Sequence, residues 1–433
     1  MAEIQPLRAW RYNRQLGSNI DSLTSPLFDV VSEKQRQALY KNQYNSIHLS
    51  VPLGPDAADR AAQTLQQWKN DNTINQDDLP GIYVYYQYFK LPGSTKEYCR
   101  KGIICNIRAY EWNENVILRH ENTMPKAVND RVDLLEKTLL HVGPTHGLYT
   151  DPSFSLEAFM DDAITNPIYE TEDYQGVRDL LAVIQDATII EKIIDQLRTK
   201  AIILADGHHR YESSLIFKKK RQQQNKHDKG TEGYHFHLMF LSNTESDDLR
   251  ILPTHRIIRS LPDFKEEKVL RKLSTYFNIK PVDDPDSLYE IILGKPWTFG
   301  LLFKENAYKI RLKPEAFLDF HWPFPDAIKR LDLTVMHHFV IEKVLGIPGK
   351  DQRQSENIDY DRSFSDCLTK VMQGDSQLAI ITQEVSIEDV KRVSASGYTM
   401  PQKSTYFYPK VICGFLFSSI KEDEFNTPPY SPF

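Results

Sequence analysis

The 433-residue chain reads as an α/β protein of mixed α+β character, and three observations carry that expectation. Short apolar or alternating runs such as Ala201–Ala205 (AIILA) and Gly81–Phe89 (GIYVYYQYF) have the period of strands. Helical spacing joins Val128, Val132, Leu135 and Leu139. At Asp206-Gly207 a strand pattern passes straight into a helix pattern, Arg210, Tyr211, Glu212, Leu215, Ile216.

Taken in order, residues 1–30 look irregular. Ser32 then caps a helix running to Tyr40. Asn45–Val51 (NSIHLSV) alternates like a strand, and Ala57–Trp68 is an amphipathic helix. Gly81–Phe89 and Lys101–Tyr110 are strands joined as a hairpin by Leu91-Pro92-Gly93-Ser94. Asn115–Arg119 is a short strand, followed by His120-Glu121-Asn122-Thr123 and a helix with Pro125 in its first turn. Lys126 and Asp130 stand four apart there, the spacing of an ion pair on a wet helix face. Gly147–Thr150 is expected as strand, Ser155–Ile164 and Glu191–Arg198 as helices, and Lys218–Lys229 as a solvated, mostly basic helix end.

His235–Ser242 is a buried strand. Its His235 and His237 resemble metal ligands superficially, with no local third ligand. Arg250–Ser260 is a polar-tipped strand or turn. Beyond it come a helix at Glu266–Phe277, strands at Trp297–Phe303 and Tyr308–Leu312, a helix at Asp332–Leu345, a strand at Gln377–Thr382 and a helix at Ser386–Ser394. His337-His338 are adjacent on a helix and do not face one another, so a structural role is expected. Ser396–Phe417 is the last ordered unit, and the Pro-rich Asn426–Phe433 reads as loose. Two domains are expected, residues 1–255 and 256–433, the second returning its Met400–Lys410 loop towards the Asp206 turn.

Hydrophobic residues at 40% and charged residues at 26% fit a globular chain, and a net charge of −6 disfavours a general nucleic-acid surface. No apolar run approaches the roughly 20 residues of a membrane span. The start MAEIQPLRAWRYNRQLG lacks an apolar signal core, so a cytoplasmic location is expected. Cys99, Cys105, Cys367 and Cys413 form no CxxC pair, which disfavours a zinc ribbon or disulfide framework and favours reduced thiols.

The chemistry concentrates at Ala201–Leu215 (AIILADGHHRYESSL). A strand that ends in a tight polar turn and opens a helix presents backbone N–H groups and a positive dipole end, which suits phosphate. Gly207 allows close approach, His208, His209 and Arg210 can hold phosphate oxygens, and Asp206 can hold Mg²⁺ or take a proton. Glu121 and Asp29 are alternative carboxylates for those two tasks. His120, Lys126 and Arg131, from a second polar cluster at a helix start, are further candidates for binding the nucleotide phosphates. Lys403, Ser404, Thr405 and Lys410 would add charge and hydroxyls. The structural alternatives stay open: Arg210 and Glu212 as salt-bridge partners, Tyr211 as core, His120-Glu121 orienting each other, and a Pro-flanked loop without a ligand.

The Asp206–Glu212 box (DGHHRYE), together with His120-Glu121-Asn122-Thr123…Lys126…Asp130-Arg131 and Met400–Lys410 (MPQKSTYFYPK), resembles domain-of-unknown-function family 1015 over nearly the whole chain. Phe28-Asp29-Val30-Val31 resembles that family's Pro-Tyr-Asp-Val-Val motif, with Leu27 and Phe28 replacing the Pro and Tyr. Gln402 stands where the C-terminal motif has a second Pro. More distantly, Gly207–Glu212 is similar to the Gly-Cys-His-Arg-Tyr-Glu box of sulfiredoxin and the Gly-Glu-Arg-Arg box of ParB proteins. In that superfamily, which includes free-serine kinases, the box opens a helix and holds nucleotide phosphates.

His208 replaces the sulfiredoxin cysteine, which removes that route of sulfinic-acid repair. No evident helix-turn-helix supports a DNA clamp. The resemblance therefore implies a ParB/sulfiredoxin-like nucleotide-binding core with an additional mixed-sheet domain. It implies Mg²⁺ and ATP or ADP as cofactors, a nucleotide and a small molecule as partners, and phosphoryl transfer to a serine-like hydroxyl. Asp206, His208, Glu121 and Asp29 are its catalytic candidates and Asp206 its metal ligand. A non-catalytic nucleotide-responsive sensor and a phosphohydrolase remain the alternatives.

Overall fold

The computed structural model describes residues 1–173, 175–318, 324–401 and 403–425. The long strand Glu97–Arg108 organises the first part of the chain. It pairs antiparallel with Ile82–Lys90 on one side, the expected hairpin, and with Phe236–Asn243 on the other. Alternation places Ile103, Cys105 and Ile107 in one apolar layer and Ile104 in the other. Both faces are covered. One lies against the helices Ala187–Arg198 and His208–Gln224, the other against Ala57–Asn70 and Phe415–Phe417.

The nine-stranded sheet is mixed. From one end its order is Ile117–Arg119, Ile202–Asp206, Thr145–Tyr149, Phe236–Asn243, Glu97–Arg108, Ile82–Lys90, Arg178–Ile184 and Tyr169–Glu172, with Ile4–Gln5 also pairing Glu97–Arg108. Parallel pairs join Ile202–Asp206 to Ile117–Arg119 and Phe236–Asn243 to Thr145–Tyr149. The chain divides into two compact units. One holds Met1–Arg119, Thr123–Arg250 and Pro409–Phe433, and the other His120–Asn122 and Ile251–Tyr408. The second unit has a six-stranded sheet, antiparallel throughout, ordered Phe277–Val282, Ala307–Leu312, Thr298–Leu302, Leu378–Ile381, His255–Ile258, Ile358–Asp361.

Three local expectations are corrected. Asn45–Val51 is not a strand: Ile47–Ser50 is a short helix, because the Asn45 side chain accepts from the Ile47 N–H at 2.9 Å and starts a turn instead. The Glu266 helix stops at Leu273, and Phe277 opens a strand paired with Leu312. The Asp332 helix is α only to Val335 and continues as a π-helix, Met336–Val344. Strands Arg178–Ile184 and Ile358–Asp361 and the helix Phe364–Met372 carried no recognised signal. The expectation for the tail Asn426–Phe433, and Gln402 in its motif, lie outside the described residues. All four cysteines are unbonded thiols. Among the described residues no helix is long and apolar enough to cross a membrane.

The centre of the large sheet rests on one close approach. A Cβ on Gly102 would lie 2.3 Å from the Leu241 carbonyl oxygen and 2.4 Å from the Phe240 ring. Gly102→Ala is therefore expected to destabilise the protein by roughly 1–3 kcal/mol, read as a lower denaturant midpoint at unchanged slope.

Candidate functional site

The strand Ile202–Asp206 lies between Ile117–Arg119 and Thr145–Tyr149 and ends at a buried carboxylate, Asp206. Gly207 follows with φ +88°, and the 17-residue helix His208–Gln224 begins immediately. Glycine is required here twice. Its φ is left-handed, and a Cβ would sit 2.6 Å from the Thr145 methyl. Tyr211 N–H donates to the Gly207 carbonyl at 3.0 Å, closing the first turn. The first amides of any helix lack intrahelical acceptors, so this turn faces its opening with donors.

Asp206 accepts from the Lys410 ammonium and, at 3.3 Å, from Arg210. Burial alone would raise its carboxyl. The charges of Lys410 and Arg210 outweigh that and hold it well below the usual carboxylate range. Arg210 is turned inward: it donates to the carbonyls of Pro144 at 2.7 Å and Gly143 at 3.3 Å. Its buried Nε has no partner among the described residues. Around it the imidazoles are neutral. Burial pushes His141 down to about 4 and His146 and His237 well below their ordinary value. His237 bridges Thr145 at 3.0 Å and Ser214 at 2.7 Å, so it is a bonded strand residue as expected.

The other candidates of this unit are placed as follows. His208 is buried, and His209 Nε2 accepts from the Met124 N–H at 3.0 Å, tying the helix start to the segment before Pro125. Arg131 donates to the Ser50 carbonyl at 2.7 Å, and its guanidinium lies 4.6 Å from the Phe28 ring centre. Asp130 pairs with Arg131, not with Lys126, because the adjacent guanidinium reaches both the carboxylate and that carbonyl. Lys126 is exposed. Asp29 is exposed in the turn after Phe28, close enough for its charge to act on the Cys413 thiol, which burial holds at about 11. Tyr211 is core and bonds the Tyr110 carbonyl at 2.8 Å, while Glu212 accepts from the Trp112 indole at 2.7 Å. Lys218, expected to be solvated, is buried and donates to the Ala109 carbonyl.

Sequence reasoning missed what holds Lys410. The Lys410 carbonyl accepts from Gln87 at 3.1 Å and the Pro409 carbonyl accepts from Arg100. Gln87 in turn takes Arg100 on its oxygen and gives its amide to Asp179 at 2.7 Å, and Tyr85 donates to the same Asp179 oxygen. The other Asp179 oxygen is buried without a partner among the described residues, and burial pushes this carboxyl up to about 7. The signal was Gln87 and Arg100, polar residues fully buried in the two strands of the hairpin.

In the second unit, His120 Nε2 lies 2.8 Å from Thr405 Oγ1, and Glu121 accepts from the Thr405 hydroxyl at 3.2 Å and its N–H at 3.3 Å. Ser404 is spent on the Pro401 carbonyl, and Lys403 is exposed with φ +56°. The expectation of no local third ligand beside His235 is corrected. Asp228, Glu232 and His235 bring their ligand atoms within 4.8 Å of one another. That set is internally hydrogen-bonded, however, with His235 at 2.7 Å from Asp228 and Glu232 accepting from the N–H groups of Lys229 and Thr231.

The chain belongs to the family described as "Protein of unknown function (DUF1015)", which matches residues 4–334. Among solved structures it is similar to a conserved hypothetical protein from Pyrococcus furiosus, at 12% identity and TM-score 0.34, covering 68% of this chain and 89% of that one. It is also similar to a free serine kinase in complex with AMP, at 12% identity and TM-score 0.35, covering 72% and 90%. A C-terminally truncated SbnI from Staphylococcus aureus matches at 11% identity and TM-score 0.37, covering 74% and 90%. No curated protein matches the chain.

Two outcomes follow from this geometry. Lys410→Met leaves a buried carboxylate with Arg210 alone and is expected to cost about 3–5 kcal/mol in equilibrium unfolding. The Asp179 carboxyl sits near 7 in the fold against 3.8 in its ordinary state, so its contribution is present below about pH 4 and lost as pH rises through 7. Unfolding of the wild type and Asp179→Asn across pH 4–8 should show the wild type losing stability relative to the variant as pH rises.

Proposed function

We propose that the Asp206–Arg210 turn binds the phosphates of a nucleotide, ATP or ADP, for phosphoryl transfer to a small hydroxylated molecule such as a serine-like amino acid. One observation carries this reading. Asp206, Lys410 and Arg210 together bear a net positive charge at the positive end of a 17-residue helix, behind a glycine with φ +88°. Phosphoryl transfer asks chiefly for charge neutralisation and positioning, which the helix-start amides, His208 and Lys410 would supply. Its support is this turn and not the loose structural likenesses.

Mg²⁺ at Asp206 does not fit the turn as it stands, because both carboxylate oxygens already face cations. No step is routed through a metal. Asp29, exposed in the same unit, would take the proton from an acceptor hydroxyl.

The same ion pairs favour a second reading, a nucleotide-responsive binding protein without turnover. A carboxylate held far below neutral pH by two cations is a weak general base.

The test is a thermal-shift series with ATP, ADP and GTP, with and without Mg²⁺, on the wild type and Lys410→Gln. An adenine nucleotide at about a hundred times its Kd should add about 2.7 kcal/mol and raise Tm by a few degrees, and Lys410→Gln should reduce the shift. Phosphorylated product from a panel of small alcohols then supports the kinase, and a shift without turnover supports the binding protein. No shift with any nucleotide sinks both.

A further inference from the structure

The connection from the helix His208–Gln224 to the strand Phe236–Asn243 brings three metal-binding side chains to one point: Asp228, Glu232 and His235. By the rise of the 17-residue helix that separates them, they stand roughly 25 Å from the Asp206 turn. His237, two positions on, is spent on Thr145 and Ser214 and takes no part.

The spacing of the three is that of ligands around one ion. His235 Nε2 lies 2.7 Å from Asp228 Oδ1 and 3.7 Å from Glu232 Oε2, and all three ligand atoms fall within 4.8 Å of one another. Nitrogen and oxygen atoms bound at about 2.0–2.2 Å to a single ion stand about 3–3.6 Å apart, so shifts of a few tenths of an ångström suffice to seat one. Charge points the same way. Among the described residues the ion pairs of Asp228 and Glu232 are with His235 alone, and two carboxylates held this close repel unless a cation joins them. Their side chains are 19% and 18% exposed, so solvent and its ions reach them.

The hydrogen bonds around the cluster orient the carboxylates without exhausting them, since each oxygen has two lone pairs. The Gly230 N–H and the Gln222 amide each donate to Asp228 at 3.0 Å. Lys229 and Thr231 donate their N–H groups to Glu232 at 2.9 and 3.0 Å. His235 is buried, and its carbonyl accepts from the Ala109 N–H at 2.7 Å, which fixes the ring at the start of the strand. Outer donors of this kind hold metal ligands in position. Glu232 also lines a cavity of about 1100 Å³ with Lys229, Thr231 and Tyr234, which leaves room for a water on the ion.

We propose that Asp228, Glu232 and His235 bind a divalent transition-metal ion, Zn²⁺ by the chemistry of the three ligands, with water completing its shell. One imidazole and two carboxylates suit Zn²⁺, whereas Mg²⁺ and Ca²⁺ prefer oxygen throughout. The Nε2 lone pair goes to the ion, and the ring proton sits on Nδ1. The proposal is independent of the nucleotide reading, since none of these residues belongs to the Asp206 turn.

The full chain, stripped of metal with a chelator and dialysed, would be titrated calorimetrically with Zn²⁺, Mg²⁺ and Ca²⁺ at neutral pH without nucleotide. Zn²⁺ should bind about a hundredfold or more tighter than either of the others and should raise Tm. Glu232→Gln keeps an oxygen for the Lys229 and Thr231 N–H groups, so its unliganded Tm should hold while its Zn²⁺ affinity falls at least about tenfold. His235→Gln should weaken Zn²⁺ at least as much. The visible absorption of Co²⁺ bound in place of Zn²⁺ should fade in the same variants. Absence of Zn²⁺ binding at micromolar concentration overturns the proposal. Mg²⁺ or Ca²⁺ binding as tight as Zn²⁺ marks an acidic patch only and overturns it as well. Full Zn²⁺ affinity in Glu232→Gln places the ion elsewhere, the thiols included, and does the same.

Discussion

Asp206 is the point through which the first unit is held together. Its carboxylate takes Lys410 and Arg210, partners that are 204 and four positions away in the chain. A buried charge tolerates no loss of partners, so the end of a sheet strand, the first turn of a long helix and the Pro409–Lys410 segment are obliged to meet. A supporting network stands behind this one. Arg100 and Gln87 hold the backbone carbonyls of Pro409 and Lys410, and Asp179, which also accepts from Tyr85, holds Gln87, so that the ammonium is delivered by a braced segment.

Lys410 and Arg210 bring positive charge to this turn. His141, His146 and His237, all buried near Arg210 or Lys410, are kept neutral by burial and by those same cations. Asp179, which holds Gln87 beneath the Pro409–Lys410 segment, has its carboxyl pushed up to about 7 by burial.

Periodic segments could be read directly. The hairpin from Gly81 to Tyr110, the strand before Asp206 and the helix after Pro125 each carry a pattern longer than the noise of individual residues. Ile47–Ser50 did not, because four residues are too few to separate period 2 from period 3.6, and a single Asn45 hydrogen bond decided the outcome. Site residues fared likewise. Asp206 and Gly207 announced themselves by sitting where strand becomes helix. The inward turn of Arg210 was hidden, since its partners are the carbonyls of Gly143 and Pro144, which no side-chain pattern marks. The partnership of Lys410 with Asp206, and the assembly of Gln87, Arg100 and Asp179 behind it, depend on strand register and on a chain return that local spacing does not encode. The π-helix at Met336–Val344 was invisible for a related reason: its apolar residues satisfy the α period, and only the backbone departs from it.

The two units are interleaved along the sequence, with Pro409–Phe433 belonging to the first unit after Ile251–Tyr408 has been spent on the second. That order has a consequence for biosynthesis. On the ribosome the large sheet can begin to pair early, but the lysine that neutralises Asp206 emerges only after the entire second unit has been made. Until then the strand end carries a carboxylate whose long-range partner does not yet exist. The first unit therefore cannot close until the whole second unit has been synthesised, because Lys410 follows Tyr408 in the chain.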